Sequence, residues 1–149
     1  MIKLIFFSST LLISVALSAQ KNVKDITRSD MLETEIPVGA KMDNRLLSKM
    51  ALEVVLDLKV QPMKLVVKTA EYISWKGSNI KDARSSGIID TLIKSLTANN
   101  WKIVFDEKDN KVMWLLKDNK PLIVMYVTLK DQIDLYVGEL DKTPPVNFQ

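Results

Sequence analysis

Side chains able to do chemistry are few in this sequence, and their types narrow the field before any fold is considered. Histidine and cysteine are both absent. Zinc, copper, haem and iron–sulfur centres therefore lose their usual ligands, and Ser-His-Asp or Cys-His nucleophilic catalysis has no base. The four glycines, Gly39, Gly77, Gly87 and Gly138, stand too far apart to build a phosphate-cradling loop. Carboxylates remain. Glu53, Asp57, Asp134 and Glu139 are of the right type for a two-carboxylate glycosidase, in which one acid protonates the leaving oxygen and the other acts as base or nucleophile. Nothing in their spacing selects a pair. Ser48 and Lys49 are adjacent, which points them apart on a helix or a strand and spoils a Ser–Lys dyad. Asp106, Asp109 and Asn110 offer oxygens, but the alternating ligands and the glycine of a calcium loop are missing. The seven methionines are scattered, as core fillers are, rather than gathered as a copper site needs. The expectation is a non-enzymatic protein with no catalytic residue, no cofactor and no metal.

The first residues carry a different kind of signal. "MIKLIFFSSTLLISVALSAQ" has a positive start at Lys3, an apolar stretch over 4–17, and small residues at its end. That is the pattern of a secretory leader over 1–19, cut after Ala19, or after Ser18 with Ala16 at the −3 position. The apolar stretch is shorter than the roughly 20 residues of a spanning helix, so contact with a membrane is expected only during export. A lipid-anchored lipoprotein needs a cysteine at the cut, and there is none. A periplasmic or extracellular protein without disulfides follows, held by its core alone. Roughly 130 residues remain after the leader, ample for one domain and thin for two. The 47% apolar content is that of a globular chain. The net charge of +3 includes Lys3 and forms no compact basic cluster, so nucleic acid is not an expected partner.

The elements that must position any site can be read in order. Residues 20–41 lack sustained periodicity and read as a lead-in segment, turning at Pro37–Gly39, ahead of a single domain over 42–141 and an extended tail over 142–149. Residues 44–75 support two patterns. As a strand, Met50, Leu52, Val54, Leu56 and Leu58 alternate with Ala51, Glu53, Val55 and Asp57. As a helix, Leu47, Met50, Ala51, Val54 and Leu58 form one stripe. The β-branched and aromatic residues of "MKLVVKTAEYISW" favour a β-hairpin over about 50–75, with the corner at "VQPM". Residues 86–99 form the main helix: Ile88, Ile89, Leu92, Ile93 and Leu96 share a face, Ser85 or Ser86 caps its start, and Asn99–Asn100 ends it.

After that helix come four antiparallel strands, at about 101–107, 111–117, 121–129 and 133–140. The word Lys-Asp-Asn-Lys occurs twice, at 108–111 and 117–120. Asp109–Asn110 and Asp118–Asn119 both suit two-residue hairpin loops, which require positive φ. With those loops, Trp101, Ile103, Phe105, Val112, Trp114, Leu116, Ile123, Met125 and Val127 share one face. A three-residue loop at Lys130-Asp131-Gln132 adds Ile133, Leu135 and Val137 to it, and the main helix covers it. The opposite face is not polar, as alternation against water requires. Val104, Met113, Leu115, Leu122, Val124, Tyr126 and Tyr136 lie there.

The sequence therefore predicts an α+β fold: an antiparallel sheet, made of the C-terminal four-strand meander and an N-terminal hairpin, packed against one main helix. The second apolar face either is covered by residues 20–75 or binds something. As a binding face, with Val104, Met113, Leu115, Tyr126 and Tyr136 as contact residues, it makes the protein an exported accessory or binding protein for an envelope protein or an apolar small molecule. The alternatives are a small carboxylate-dependent, carbohydrate-active hydrolase and a structural subunit of an envelope assembly.

Overall fold

The computed structural model describes residues 23–43, 46–60, 63–77 and 87–149. The expected leader, and the serines expected to cap the main helix, lie outside them. Nine strands and two helices follow in order: β1 (Lys24–Asp25), β2 (Arg28–Ser29), β3 (Thr34–Glu35), β4 (Lys41–Asp43), α1 (Leu46–Lys59), β5 (Val67–Lys76), α2 (Ile88–Ala98), β6 (Lys102–Phe105), β7 (Val112–Lys117), β8 (Lys120–Thr128) and β9 (Gln132–Leu140). Seven strands form one antiparallel sheet in the order β1-β4-β5-β9-β8-β7-β6, and β2 pairs with β3 beside it. The fold is α+β with a large antiparallel sheet, as the strand and helix patterns imply.

The hairpin expected over 50–75 is half wrong. Its second arm is β5, but its first arm is α1, and β5 pairs with β4 and β9 instead. The composition of α1 explains the outcome. Leu, Met, Ala, Lys and Glu are straight-chain or small helix formers, and only Val54 and Val55 are β-branched. The strand-like alternation arises because the helix is apolar on two opposite faces. Leu52 and Leu56 are buried against the sheet, while Leu47, Met50, Val54 and Leu58, the stripe that the helical pattern picks out, face outward. Gly138 lets α1 lie close: a Cβ there would stand 2.7 Å from a Leu52 methyl and 3.1 Å from Val67.

α2 agrees with expectation in place and in its own apolar stripe, but it covers the Met113, Leu115, Leu122 and Val124 face of the sheet, not the Val112, Trp114 and Ile123 face expected of it, which α1 covers. Leu92 and Leu96 are fully buried, with Ile88, Ile89 and Ile93 packed beside them. Gly87, at φ 70°, holds its N-cap position without a side-chain bond. Asn100, at φ 66°, closes the other end.

The sheet is buried on both sides. On the α2 face lie Ile73, Trp75, Met113, Leu115, Leu122, Val124, Ile133, Leu135 and Val137, covered by α2 together with Met31, Leu32, Ile36 and Ala40 of the N-terminal segment. On the α1 face lie Val67, Val112, Trp114, Ile123 and Leu140, covered by Leu52, Leu56 and Val60 and by Val146 and Phe148 of the tail. The lead-in and tail residues are thus parts of the core. Polar contacts hold the N-terminal segment down. The Ser29 hydroxyl donates to Glu71 at 2.6 Å, and the Trp101 indole N–H donates to the Leu32 carbonyl at 2.7 Å. Glu33 accepts from the ammonium groups of Lys117 at 2.7 Å and Lys120 at 3.1 Å. Those bonds hold the Glu33 carboxyl below its ordinary pKa.

Three hairpins decide which residue faces which helix. The β7–β8 register is as read: Trp114 lies opposite Ile123 and Val112 opposite Met125, joined by Asp118 (φ 48°) and Asn119 (φ 62°). The β6–β7 hairpin is one residue off, with Ile103 opposite Leu115 and Val104 opposite Trp114. Asp106, not Asp109–Asn110, organises that turn. Its carboxylate accepts from the N–H groups of Lys108 and Asp109, both at 3.0 Å, and lengthens the connection. The β8–β9 loop has two residues, Lys130–Asp131, rather than three: Thr128 pairs with Ile133, and the Leu129 N–H donates to the Gln132 carbonyl. Both corrections flip a strand. Trp101, Ile103, Ile133, Leu135 and Val137 join the α2 face, and Val104 and Tyr136 join the α1 face.

Candidate functional site

The five residues expected to form one binding face are divided by these flips. Met113 and Leu115 are fully buried on the α2 face. Tyr126 is half-buried on that face, its hydroxyl donating to the Asn110 carbonyl at 3.1 Å. Burial, with Asp109 and Asp90 nearby, raises the pKa of that hydroxyl. Tyr136 lies on the α1 face with its ring centroid 5.3 Å from that of Tyr72. Only Val104 lies in an open site.

That site is a groove of about 740 Å³ at one end of the α1 face. Val104, Val112, Trp114 and Met125 form its sheet wall, Val55 and Leu58 of α1 line one side, and Pro145 and Val146 of the tail line another. It exists because β6 is short and lies at the sheet edge, where the single turn between Phe105 and Val112 stands up beside the end of α1. Phe105, at the end of β6, is 43% exposed. A Lys59–Asp106 ion pair, N–O 3.0 Å, ties the last turn of α1 to the β6–β7 turn. Burial pushes the Asp106 carboxyl up. The Lys59 ammonium and the N–H groups of Lys108 and Asp109 outweigh it, and the pKa lies below its ordinary 3.8. The Asp106 carboxyl is therefore ionised at neutral pH, and its pairing with Lys59 holds the rim in place. Glu107, Lys108 and Asp109 complete a rim of mixed sign.

The remaining chemistry-bearing residues do not converge. Glu53 pairs along its helix with Lys49 at 4.0 Å, and Asp57 is exposed on the same helix. Asp134 is buried and accepts from the Tyr72 hydroxyl and the Gln132 amide, each at 2.6 Å. Glu139 pairs with Lys68 at 2.7 Å. The Ser48 hydroxyl is buried and finds no hydrogen-bond partner among the described residues, while Lys49 points elsewhere. Asp106 and Asp109 are the acceptors of a turn, Asp109 taking the Lys111 N–H at 3.0 Å. No group of three or more acidic side chains suited to a metal ion occurs among the described residues.

Two features escape a reading of the sequence, the Lys59–Asp106 tie and the outward direction of the α1 stripe. The first joins residues 47 positions apart, beyond any local pattern. The second is visible as a helical stripe, which the pattern alone assigns to the interior. Taken together, fold and groove define an α+β domain with an apolar surface site. Comparison with known families, curated proteins and solved structures finds no match to this chain.

Proposed function

We propose that this chain is an exported, non-enzymatic binding protein that holds an apolar small molecule in the groove between α1, the β6–β7 turn and the tail. The observation that carries this reading is the apolar wall of half-buried Val104 and Met125, backed by buried Val112 and Trp114, at the open end of a sheet whose faces are otherwise covered. The groove volume falls within the range of small-molecule sites, about 300–1,000 Å³. Its rim, with acidic and basic groups close together, gives no strong preference for a charged head group, so a neutral or weakly polar ligand with an apolar body fits best. Lack of histidine and cysteine supports binding over catalysis. Glu53, Asp57, Asp134 and Glu139, the carboxylates considered for a hydrolase, do not line the groove. The leader-like first nineteen residues support export, and no helix among the described residues is long and apolar enough to cross a membrane.

The test is titration with a neutral naphthylamine dye that brightens in apolar surroundings. Saturable binding is expected, weakened about tenfold or more by Val104→Asp while the circular-dichroism spectrum and melting temperature stay near those of the native protein. Val54→Glu, on the outer face of α1, should leave dye binding unchanged. Dye binding that is absent, or indifferent to Val104→Asp, would sink the groove as a ligand site.

A further inference from the structure

β6 is the last strand of the seven-stranded sheet, and β7 covers only one of its edges. Which groups face the other edge follows from the ladder. The Asp106 N–H donates to the Val112 carbonyl at 2.9 Å, so Asp106–Val112, Val104–Trp114 and Lys102–Leu116 are the hydrogen-bonded pairs. Ile103 and Phe105 alternate with them, and their N–H and C=O groups point away from β7. These groups have no hydrogen-bond partner among the described residues. An unpaired edge of this kind is a template for another strand.

We infer that β6 pairs with β6 of a second copy, antiparallel about a two-fold axis at Val104, so that the sheet continues from one chain into the next. The segment Lys102-Ile103-Val104-Phe105-Asp106 is complementary to itself when reversed. With Val104 beside its own copy, Ile103 stands opposite Phe105 and Lys102 opposite Asp106, each twice by symmetry. The backbone needs that register. Ile103 and Phe105, whose groups point outward, become the hydrogen-bonded pair, and each N–H meets a carbonyl. Phe105, 43% exposed at the end of β6, is then covered by Ile103 of the second copy. Charge selects the reversed copy over an arbitrary strand. A lysine on an edge strand ordinarily keeps other strands away, but here exposed Lys102 meets a carboxylate. The Asp106 Oδ1 accepts from Lys59 and from the N–H groups of Lys108 and Asp109. Its Oδ2 has no bond among the described residues and is free to accept the incoming ammonium. A shift of two residues either way keeps outward groups facing, but sets Lys102 or Asp106 against Val104.

Size sets the strength. So short a strand falls far below the roughly 20–30 residues a side of stable complexes. The pair is a reversible dimer, visible as concentration rises.

The test combines sedimentation equilibrium with single cysteines, which the chain otherwise lacks. From micromolar to near-millimolar concentration, the weight-average mass of the native protein should climb from one chain toward two. Phe105→Pro removes an outward N–H and no ladder bond, so it should melt near the native temperature and weaken the association about tenfold or more. Lys102→Glu, at an exposed site, should weaken it severalfold. On the axis, the two Val104 Cα atoms stand about 4.5 Å apart, within disulfide reach. Val104→Cys should therefore form a disulfide-linked dimer under mild oxidation. Lys102→Cys, about 14 Å from its copy along the strands, should link at least tenfold more slowly. A native protein that stays monomeric throughout overturns the inference. So does a Lys102→Glu or a folded Phe105→Pro variant that associates like the native chain, or equal cross-linking at 102 and 104. A monomeric chain that instead binds a labelled Thr-Val repeat peptide would assign the edge to a strand of another protein. Lys102 does not line the groove, so Lys102→Glu should leave dye binding unchanged, and the groove and the dimer stand or fall separately.

Discussion

The two helices pack on opposite faces of one sheet and solve different problems. α2 has one apolar stripe, Leu92 and Leu96, and its other side carries exposed Asp90, Thr91, Lys94 and Thr97. Its burial is complete within the chain. α1 has two apolar stripes, and the fold uses only one, Leu52 and Leu56. The leucines on its two sides are the same residue type in the same helix, yet one set stabilises the monomer and the other is left for something else. Composition does not separate those roles. What separates them is the sheet, which has one surface to offer each helix.

The comparison can be broken most directly within α1. Leu52→Ala removes a fully buried side chain and should cost about 2–5 kcal/mol, as should Leu92→Ala on the other face. Leu58→Ala should stay within about 0.5 kcal/mol of the native protein. Urea unfolding monitored by circular dichroism measures all three at a concentration low enough to keep the chain monomeric. Equal losses at Leu52 and Leu58 would mean that the outer stripe is buried in the monomer after all.

A smaller effect tests the close seat of α1 against the sheet. Gly138→Ala puts a methyl 2.7 Å from the Leu52 side chain, which must shift. The expected loss is about 1–3 kcal/mol, measured by the same unfolding experiment. A neutral result would show that α1 lifts off the sheet without strain. No glycine plays such a part under α2, where the N-terminal segment fills the space beside the helix.

The smallest expected effect concerns the tie between α1 and the groove rim. The Asp106 pKa is lowered in the folded state, below its ordinary 3.8. A lowered carboxyl pKa gives stability that is full above the unfolded value and is lost as the pH falls through the folded one. Native protein should therefore lose part of its urea midpoint between neutral pH and about pH 3. Asp106→Asn should lose less over the same interval, since its amide does not titrate. Glu33, lowered by Lys117 and Lys120, contributes in the same direction in both proteins, so the difference between them isolates Asp106. Identical pH dependence would mean that the Lys59–Asp106 pair adds nothing to the fold.

Legibility in the sequence varies with the range of each signal. The β7–β8 hairpin is legible to the residue, because Asp118 and Asn119 accept positive φ and the flanking alternation agrees with that loop. The same word at Asp109–Asn110 misleads, because Asp106 accepts the N–H groups of Lys108 and Asp109 and takes over the turn. At Lys130–Asp131 an extra loop residue keeps Ile133, Leu135 and Val137 beside Trp114 on paper. They need no such help, since the other face is equally dry. A sheet with one wet face exposes register errors through misplaced polar residues. This sheet has apolar residues on both faces, so a one-residue slip leaves the pattern looking sound. The candidate site inherits that slip: the pattern groups Val104 with Met113 and Leu115, from which the true register separates it.

By itself the sequence determined the chemistries that lack their residues, the existence and apolar face of α2, the β7–β8 hairpin and the antiparallel character of the C-terminal half. These rest on residue identity, on turns of two residues and on periodicity within one element. Only the tertiary structure decided that 46–59 is a helix and which helix covers which face of the sheet. It also decided that Val104 lines a groove while Met113 and Leu115 lie sealed beneath α2 and the N-terminal segment. The physical reason is that facing is a parity. It is set by single residues in the connections and by whichever distant segment arrives to exclude water, and neither leaves a mark in the local pattern.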